Sequence, residues 1–419
     1  MAGQVGAATA SRRLAPTIPP AQVIVVGAGP AGASAAFFLA QAGVDVLLVD
    51  QAAFPRNKPC GDGVSSSGLA VLERMGLLDW VLDGGFLEPQ ELLLIAPDGT
   101  AARDRPDPHD GLSYGYVIPR IKLDTALVER AVAAGARLQE KTHITGLERL
   151  NAHRVRLAGR TAGHAVTLEA SLVIAADGGQ SSLTRRLGLV PGPPELVAVR
   201  GYMKGDKGDP KLLEIHWEES ILPGYGWIFP LGNGRVNVGI GAYSKVVRRR
   251  GLDLHQQLQK LLAQNSYARS RLGCAEFTGP VRGHPLRTDA DRVTPFAPNV
   301  LIAGEAAGLV NPLTGEGIGP ALECGEMAAA HACRALESGN FSTTSLAGYG
   351  CAFHQKFDTI HRSARLLRWL LSYRWIVNRV VRRARRDHDF ALRLGYIIIG
   401  VTPPATALRP SVIARILMG

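Results

Sequence analysis

Residues 22–50 have the sequence QVIVVGAGPAGASAAFFLAQAGVDVLLVD, the stretch that says most about the fold. Residues 23–26 form a β-branched run typical of a buried parallel strand, and residues 46–49 predict a second strand. Between them, Gly27, Gly29 and Gly32 open an alanine-rich helix. Strand, glycine-rich turn, helix and strand in this order predict a dinucleotide-binding unit.

Each glycine has a physical role in that unit. Gly27 permits a tight turn, Gly29 lets the backbone approach a pyrophosphate, and Gly32 allows the helix to pack closely on the strand. The helix N-terminus presents free N–H groups and a positive dipole end to the phosphates. Asp50 ends the second strand, where a carboxylate accepts hydrogen bonds from a ribose diol. A purely structural glycine loop is the alternative interpretation.

Length and composition are typical of a multidomain globular enzyme. The 419 residues are enough for two or three domains, and 46% of them are hydrophobic. The first 20 residues are small and polar with prolines, which favours a disordered lead over a signal peptide. We therefore expect a cytoplasmic location. The five cysteines lack CxxC spacing, so we expect reduced thiols and no metal site.

The net charge of +11 is concentrated near the C-terminus. Residues 351–419 contain thirteen Lys or Arg and three Asp, a net charge of +10. Within them, residues 361–386 mix arginines with aromatic and aliphatic residues at helical spacing. This pattern fits an anionic membrane surface, and equally a packed helix pair whose arginines cover the protein's own surface. We expect no nucleic-acid partner, because no binding module accompanies the charge. We also expect no membrane-crossing segment.

The chain as a whole predicts a mixed α/β fold. Buried-strand patterns recur far along the chain, so a Rossmann-like domain is assembled from discontinuous segments. Antiparallel strands separated by Gly, Asp and Pro predict an inserted substrate domain, followed by a helical, basic C-terminal region. The predicted boundaries are 1–20 for the lead, 21–90 with 111–190 and 285–340 for the Rossmann-like domain, 91–110 with 191–284 for the sheet domain, and 341–419 for the C-terminal region.

Local patterns predict further elements between these landmarks. A long loop covers residues 51–68, and a loop of this length inside a domain is usually functional. We expect a helix over residues 69–78 and a strand over residues 112–118. Short strands fill residues 138–168, and a separate buried strand covers residues 171–175.

Four segments together resemble the flavin-dependent geranylgeranyl reductase family, within the p-hydroxybenzoate hydroxylase-like architecture. They are GAGPAG from residue 27, FPRNKPCGDG from residue 54, LPGYGWIFPLGNGRVNVGIG from residue 222 and GEAAGLVNPLTGEGIG from residue 304. The third contains the family signature YxWxFP followed by GxG, with Tyr225, Trp227, Phe229, Pro230, Gly239 and Gly241. The resemblance covers residues 22–338 and is strongest toward bacterial enzymes that saturate a double bond in the menaquinone side chain.

The resemblance implies bound FAD. Asp50 would hold the adenosine ribose, and Arg56 and Arg120 would neutralise the pyrophosphate with fork-shaped donors. Solvated surface arginines are the alternative interpretation. Asp177 and Gly178 match the DG turn of this architecture, although a plain strand-ending turn explains the dipeptide almost as well.

A second set of flavin contacts is implied near residue 304. Family members carry Gly-Asp there, whereas this chain has Gly304 and Glu305. Glutamate keeps the negative charge, but its side chain is longer by one methylene. We therefore expect it to hydrogen-bond the ribityl chain with an altered geometry. Pro312, Gly315 and Gly317 precede a helix whose backbone N–H groups would face the pyrimidine edge of the flavin, which becomes anionic on reduction.

The substrate side of the site is predicted from two motifs. Cys60 lies in KPCGDG, where the resemblance places a cysteine near the isoalloxazine ring. It would donate a proton or shape the pocket, and an inert buried cysteine is the alternative. Tyr225, Trp227 and Phe229 lie two apart on a predicted strand and share one face. With Pro230 they would line an apolar tunnel for an isoprenoid chain, and ordinary core packing is the alternative.

The implied function is an FAD-dependent reductase that saturates isolated C=C bonds of a polyprenyl chain, geranylgeranyl or menaquinone-type, by hydride transfer from reduced flavin. An FAD-dependent monooxygenase and a membrane-associated flavin electron carrier are the alternatives. No second glycine fingerprint follows a strand, so the reductant is NAD(P)H that binds transiently or reduced ferredoxin as an electron-donor protein. The lipid or quinone substrate would bring the protein to the inner face of the cytoplasmic membrane as a peripheral protein.

Overall fold

The computed structural model describes residues 18–105, 115–398, 400, 402–409 and 412. The predicted lead therefore lies almost wholly outside the described residues. The strands of the described chain are β1 (Ala21–Val26), β2 (Val46–Val49), β3 (Gly63–Val64), β4 (Glu91–Ile95), β5 (Ala101–Asp104), β6 (Tyr116–Val117), β7 (Arg137–Gln139), β8 (Thr142–Asn151), β9 (Arg154–Thr161), β10 (His164–Ala175), β11 (Leu196–Lys204), β12 (Leu212–His216), β13 (Tyr225–Gly232), β14 (Arg235–Tyr243), β15 (Glu276–Phe277), β16 (Arg282–Leu286), β17 (Phe296–Ala297) and β18 (Val300–Ile302). The helices are α1 (Pro30–Gln41), α2 (Ser66–Arg74), α3 (Leu78–Asp83), α4 (Arg120–Ala133), α5 (Ser182–Arg186), α6 (Ser244–Arg250), α7 (Leu254–Gln264), α8 (Ser266–Leu272), α9 (Ile318–Ser338), α10 (Thr343–Leu370), α11 (Arg374–Arg386) and α12 (His388–Ile398).

The first sheet has the strand order β17-β18-β10-β1-β2-β7. Its five strands from β18 to β7 are parallel, and the four apolar residues of β2 are all buried. Parallel strands require crossover connections, and α1 supplies the one between β1 and β2. Helices α1 and α9 pack on this sheet within one large apolar core. The mixed α/β fold with a Rossmann-like sheet is confirmed.

Strand β10 differs from its prediction. A separate strand over residues 171–175 was expected, and the structure has one strand of 12 residues from His164 to Ala175. Its first half pairs antiparallel with β9, and its second half pairs parallel with β1 and β18. No Gly or Pro interrupts residues 164–175, so the strand continues from one pairing into the other.

The second sheet has the strand order β15-β11-β14-β13-β12-β4-β5, with β16 also paired to β11. Strands β4 and β5 of this sheet come from a part of the sequence that is distant from its other strands. Helices α7 and α8 cover one face through apolar clusters that include Leu258 and Leu272. Helices α11 and α12 pack on the other face.

Two local predictions differ from the structure. The helix expected over residues 69–78 is two helices, α2 and α3, because Gly76 adopts φ +70° between them. The strand expected over residues 112–118 falls partly outside the described residues, and its described part is the two-residue strand β6. This strand pairs with β3 inside the segment that was predicted as a long loop.

The basic stretch 361–386 forms a helix pair. Helix α10 ends at Leu370, and α11 begins at Arg374 after a short turn. The apolar side of α11, including Val377 and Val381, is buried against residues of the second sheet such as Leu92. Of the two interpretations of this stretch, packing on the protein itself therefore accounts for the apolar face of α11. Among the helices of the described chain, none is long and apolar enough to cross a membrane.

This packing predicts a contrast between two residues of α11. Val381→Ala should lower the free energy of unfolding by about 1–3 kcal/mol, because Val381 is fully buried. Trp375→Ala should change it by about 0.5 kcal/mol or less, because Trp375 is exposed. Urea unfolding followed by circular dichroism measures both values. Equal effects would contradict the assigned orientation of α11.

Candidate active site

The turn between β1 and α1 and the start of α1 leave no room for side chains at Gly27 and Gly32. Gly27 has φ +99°, and a Cβ atom there would lie 2.4 Å from the carbonyl oxygen of Ala176. A Cβ atom on Gly32 would lie 1.7 Å from the carbonyl oxygen of Gly27. Gly29 precedes α1 as its N-cap residue, so its backbone lies at the positive end of the helix dipole. The loop has the shape that a pyrophosphate cradle requires.

Asp50 is fixed beside this loop. Its Oδ2 accepts a hydrogen bond from the Ala28 N–H at 2.8 Å, and its Oδ1 accepts one from the Ala52 N–H at 2.8 Å. The carboxylate therefore ends β2 in a defined orientation next to the glycine turn, at the place where a ribose would bind.

Arg56 and Arg120 converge on the same loop. The position of a Cβ atom on Gly29 lies 3.6 Å from Arg56 Nη2 and 3.9 Å from Arg120 Nη2. Both guanidinium groups are anchored by the buried Asp124, which lies 2.8 Å from Arg56 Nη1 and 2.7 Å from Arg120 Nε. Burial opposes the charge of Arg120, but Asp124 and Cys60 raise its pKa above the usual value. Two fixed cations thus face the turn where phosphates would lie.

The DG turn meets a cluster of charges that the sequence did not predict. A Cβ atom on Gly178 would lie 3.6 Å from Lys58 Nζ. Lys58 Nζ is 2.8 Å from Glu305 Oε2, and His284 Nε2 is 3.6 Å from Glu305 Oε1. Burial opposes ionisation of Glu305, but Lys58 and His284 hold its pKa well below the usual range. Burial also raises the pKa of Asp177 to about 6.

This cluster bears on the expected ribityl contact. Glu305 Oε2 is already bonded to Lys58, whereas Glu305 Oε1 and Asp177 Oδ1 are buried with no hydrogen-bond partner. These two oxygens are the acceptors that a hydroxyl-bearing cofactor would satisfy. Gly304 adopts φ +66°, and a Cβ atom there would lie 2.5 Å from the Ala31 side chain, so this strand end packs directly on α1. The residues present therefore fit FAD.

Cys60 is held against the second sheet through its backbone. Its carbonyl oxygen accepts hydrogen bonds from Asn237 Nδ2 at 2.8 Å and from Arg200 Nε at 3.2 Å. Asn237 also donates to Asp62 Oδ2 at 2.8 Å and accepts from Trp227 Nε1 at 3.0 Å. Burial raises the pKa of the Cys60 thiol, so the thiol stays protonated.

The three aromatic residues of β13 share one face of the sheet. Ring centroids are 6.3 Å apart for Tyr225 and Trp227 and 6.4 Å apart for Trp227 and Phe229. All three line the same cavity as Cys60. Pro230 alternates to the other face of β13 and is not among the residues that line this cavity.

One glycine of the signature makes room for the Trp227 ring. Across the β13–β14 pair, Gly239 lies opposite Trp227 and Gly241 lies opposite Tyr225. A Cβ atom on Gly239 would lie 2.1 Å from Trp227 Cζ2. The indole ring occupies the space above Gly239, which gives the first glycine of the GxG motif a packing role.

The loop before α9 closes the site from the opposite side. The Tyr225 hydroxyl donates to the Thr314 carbonyl oxygen, and the Tyr243 hydroxyl donates to the Pro312 carbonyl oxygen. Gly315 has φ +70°. Gly317 is the N-cap residue of α9, so the helix dipole points at the cavity from this loop.

One cavity of about 240 Å³ is lined by Gly29 at the glycine turn, by Cys60, by Glu305 and by the loop before α9. Its polar wall carries Lys58, Arg120 and Glu305, and its apolar wall comes from strands of the second sheet and from α12. The apolar residues that line it include Leu92, Leu213, Ile215, Tyr225, Trp227, Phe229 and Ile398. The arrangement places a cofactor-type cradle at one end and a hydrophobic chamber at the other.

Glu316 is a further lining residue that sequence reasoning missed. Its Oε1 accepts a hydrogen bond from the Ser65 hydroxyl, and a Cβ atom on Gly400 would lie 2.5 Å from its Oε2. Burial raises the pKa of Glu316 to about 7. Lys58 could have been found from its place in the KPCGDG motif, and Glu316 from its place between Gly315 and Gly317 in GEAAGLVNPLTGEGIG. His284 carries no sequence signal beyond its type.

Comparisons with known proteins give consistent similarities. The profile of an FAD binding domain matches residues 20–200, and that of a geranylgeranyl reductase catalytic domain matches residues 196–277. A menaquinone reductase of Mycobacterium tuberculosis is 39% identical over 323 residues, covering 74% of this chain and 76% of that protein. Digeranylgeranylglycerophospholipid reductase 1 of Methanopyrus kandleri is 34% identical, covering 82% of this chain and 88% of that protein. In fold, a geranylgeranyl bacteriochlorophyll reductase-like protein of Thermoplasma acidophilum superposes with a TM-score of 0.79 at 24% identity. The superposition covers 94% of this chain and 98% of that protein.

The convergence of two arginines on Gly29 predicts the effect of removing one of them. Arg56→Ala should weaken FAD binding by about ten- to hundred-fold, the value of one or two charge-assisted hydrogen bonds. Asp124 retains its bond to Arg120 in this variant. Flavin fluorescence titration of apoprotein measures the affinity. Arg154→Ala, at an exposed ion pair on β9, is the control, and an equal loss there would contradict the assignment.

Glu316 predicts a pH-dependent stability. Its folded pKa of about 7 lies above its usual value of 4.5, so the unfolded chain releases this proton first as pH rises. The resulting loss of stability grows between about pH 4.5 and pH 7 and reaches up to about 3 kcal/mol. Glu316→Gln removes this loss. The free energy of unfolding of the variant, relative to wild type, should therefore be larger at pH 8 than at pH 5. Urea unfolding at both pH values tests this, with the exposed Glu148→Gln as the charge control.

Proposed function

This chain belongs to the geranylgeranyl reductase family of FAD-binding proteins, and from that premise we propose that it saturates isolated C=C bonds in the prenyl chain of a lipid or quinone. One observation supports the proposal most directly. A protonated thiol, Cys60, and three aromatic rings of β13 line one apolar cavity that also reaches the glycine cradle of α1. An isoprene unit is an apolar substrate without handles for hydrogen bonding, and this chamber suits it.

Asp50, Arg56, Arg120 and the turn from Gly27 to Gly32 would hold FAD at its adenosine and pyrophosphate end. Reduced FAD, when bound, supplies the hydride for one carbon of the alkene. Tyr225, Trp227 and Phe229 orient the chain and keep water from it.

The second carbon requires a proton, and we assign its source to Cys60. Burial keeps the proton on Sγ until it is needed, while the nearby Arg120 charge lowers the pKa of the same thiol and stabilises the thiolate that remains. The hydrogen bonds from Asn237 and Arg200 to the Cys60 carbonyl oxygen fix this segment against the aromatic face. Glu316 is neutral below about pH 7, so it adds no charge to the apolar chamber in that range.

The electrons come from NAD(P)H or from reduced ferredoxin in this proposal. Rapid mixing of the oxidised holoenzyme with each donor, followed by flavin absorbance, distinguishes them. The prenyl substrate resides in a membrane, so we also place the protein at the inner face of the cytoplasmic membrane as a peripheral protein.

Anaerobic incubation of the reduced holoenzyme tests the reaction itself. Menaquinone and geranylgeranyl lipids, dispersed in detergent, should give products heavier by one hydrogen pair per bond reduced, measured by mass spectrometry. A product heavier by one oxygen, formed with oxygen consumption, would instead identify a monooxygenase. Flavin turnover with artificial acceptors and no change in lipid mass would identify an electron carrier.

The role of Cys60 predicts the behaviour of two variants. Cys60→Ala should lower kcat by about a hundred-fold or more, the usual value of a positioned proton donor, with unchanged FAD absorbance. Cys60→Ser retains an exchangeable proton and should recover part of that loss. Cys274→Ala, at an exposed thiol, is the control. Wild-type turnover in Cys60→Ala would show that this residue only shapes the pocket.

A further inference from the structure

The turn between α10 and α11 exposes a group of large apolar side chains. Leu366 is 46% exposed, Trp369 55%, Tyr373 43% and Trp375 59%. The rings of Trp369 and Tyr373 are 5.6 Å apart and perpendicular, so they form one continuous surface. We call these four residues the aromatic tip. The other exposed large hydrophobic residues of the described chain are scattered, at Leu82, Ile121, Val132, Tyr267 and Phe277.

Arginines lie beside the aromatic tip at Tyr373 and Trp375. Arg374 lies within it, and Arg250 at the end of α6 lines the same surface depression as Tyr373 and Trp375. Arg248 and Arg249 of α6 are also exposed. One acidic residue, Glu219, lies in this depression, and it pairs with Arg374 at 2.9 Å. Exposed Trp and Tyr within a positively charged rim match the interface of an anionic bilayer, where rings sit among headgroups and arginines meet lipid phosphates.

The aromatic tip is also next to the substrate chamber. Glu219 and Leu222 line the depression at the tip, and Pro223 and Gly224 line the cavity of the candidate active site. One short segment, residues 219–224, therefore separates the membrane-type surface from the chamber. Leu222 and Trp227 belong to the same buried apolar cluster as α11, so tip and chamber form one packed unit.

We propose that the aromatic tip docks on an anionic membrane surface and brings the 219–224 wall of the chamber to the bilayer, so that a prenyl chain passes from lipid to cavity beside this segment. This inference rests on the proposed function, because a membrane-resident substrate gives the contact its use. It differs from the amphipathic-helix interpretation of the sequence, since the apolar face of α11 is buried in the protein.

Co-sedimentation with vesicles tests the docking directly. Full-length holoenzyme should bind vesicles that contain phosphatidylglycerol and should bind pure phosphatidylcholine vesicles much less. Trp369→Ser/Trp375→Ser should weaken partitioning by about ten-fold or more, because two rings leave the interface. Arg250→Gln/Arg374→Gln should weaken it by about five-fold per arginine, and added salt should reduce that difference. Tyr267→Ser/Phe277→Ser removes two exposed rings elsewhere and should bind like wild type.

Activity measurements separate docking from chemistry. All these variants should reduce detergent-dispersed substrate at the wild-type rate, and the tip variants should lose rate only with substrate in anionic vesicles. Wild-type vesicle binding by Trp369→Ser/Trp375→Ser would overturn the proposal. A change of oligomeric state in that variant would also overturn it, because the tip would then be a contact between copies of the chain. Slower flavin reduction by a donor protein, with unchanged vesicle binding, would overturn it as well. If wild type binds vesicles but reduces no lipid in detergent, the proposed function fails while the docking stands.

Discussion

The side-chain amide of Asn237 is the contact on which the candidate site depends. It donates to the carbonyl oxygen of Cys60, across 177 residues of sequence, and to the Asp62 carboxylate, and it accepts from the Trp227 indole. Asn237, Asp62 and Trp227 are buried, and an unpaired polar group in the interior costs about 1–3 kcal/mol. The amide therefore ties the loop after β2 to the aromatic strand β13. The thiol and the rings face one cavity because of this connection.

Charge in the cavity is arranged in compensated pairs at its polar end. Asp124 anchors Arg56 and Arg120, and Glu305 is paired with Lys58. Each pair offsets the cost of burying its charges, and the arginines remain able to bind an anion. Burial keeps the Cys60 thiol protonated and, below about pH 7, keeps the Glu316 carboxyl neutral. This gradient separates a region suited to a phosphate-bearing cofactor from one suited to a hydrocarbon chain.

Packing explains why the aromatic signature includes Gly239. Trp227 projects from β13 over Gly239 of β14, and any larger residue opposite Trp227 would collide with the indole. The same sheet carries α11 and α12 behind it, and Ile398 of α12 reaches the cavity. The C-terminal region thus contributes both a wall of the chamber and, at the turn before α11, the exposed aromatic tip.

The sequence alone determined the parts of this protein that follow from local physics. Residues 22–50 predicted β1, the glycine turn, α1 and β2, because β-branched runs, glycine spacing and an N-terminal dipole act over short stretches of chain. Alternation along a strand placed Tyr225, Trp227 and Phe229 on one face. The same rule puts Pro230 on the other face, although it was grouped with the rings as a substrate contact.

Tertiary structure alone decided which distant groups meet. Lys58 reaches Glu305 across 247 residues, and His284 approaches the same carboxylate. Strand β10 continues from a local hairpin with β9 into a long-range pairing with β1, which joined what local patterns separated into two strands. The buried face of α11 was likewise invisible in a sequence whose hydrophobic spacing fits a membrane and a protein core equally well. Local patterns specify which face is apolar, but only the packing of the whole chain decides what covers that face.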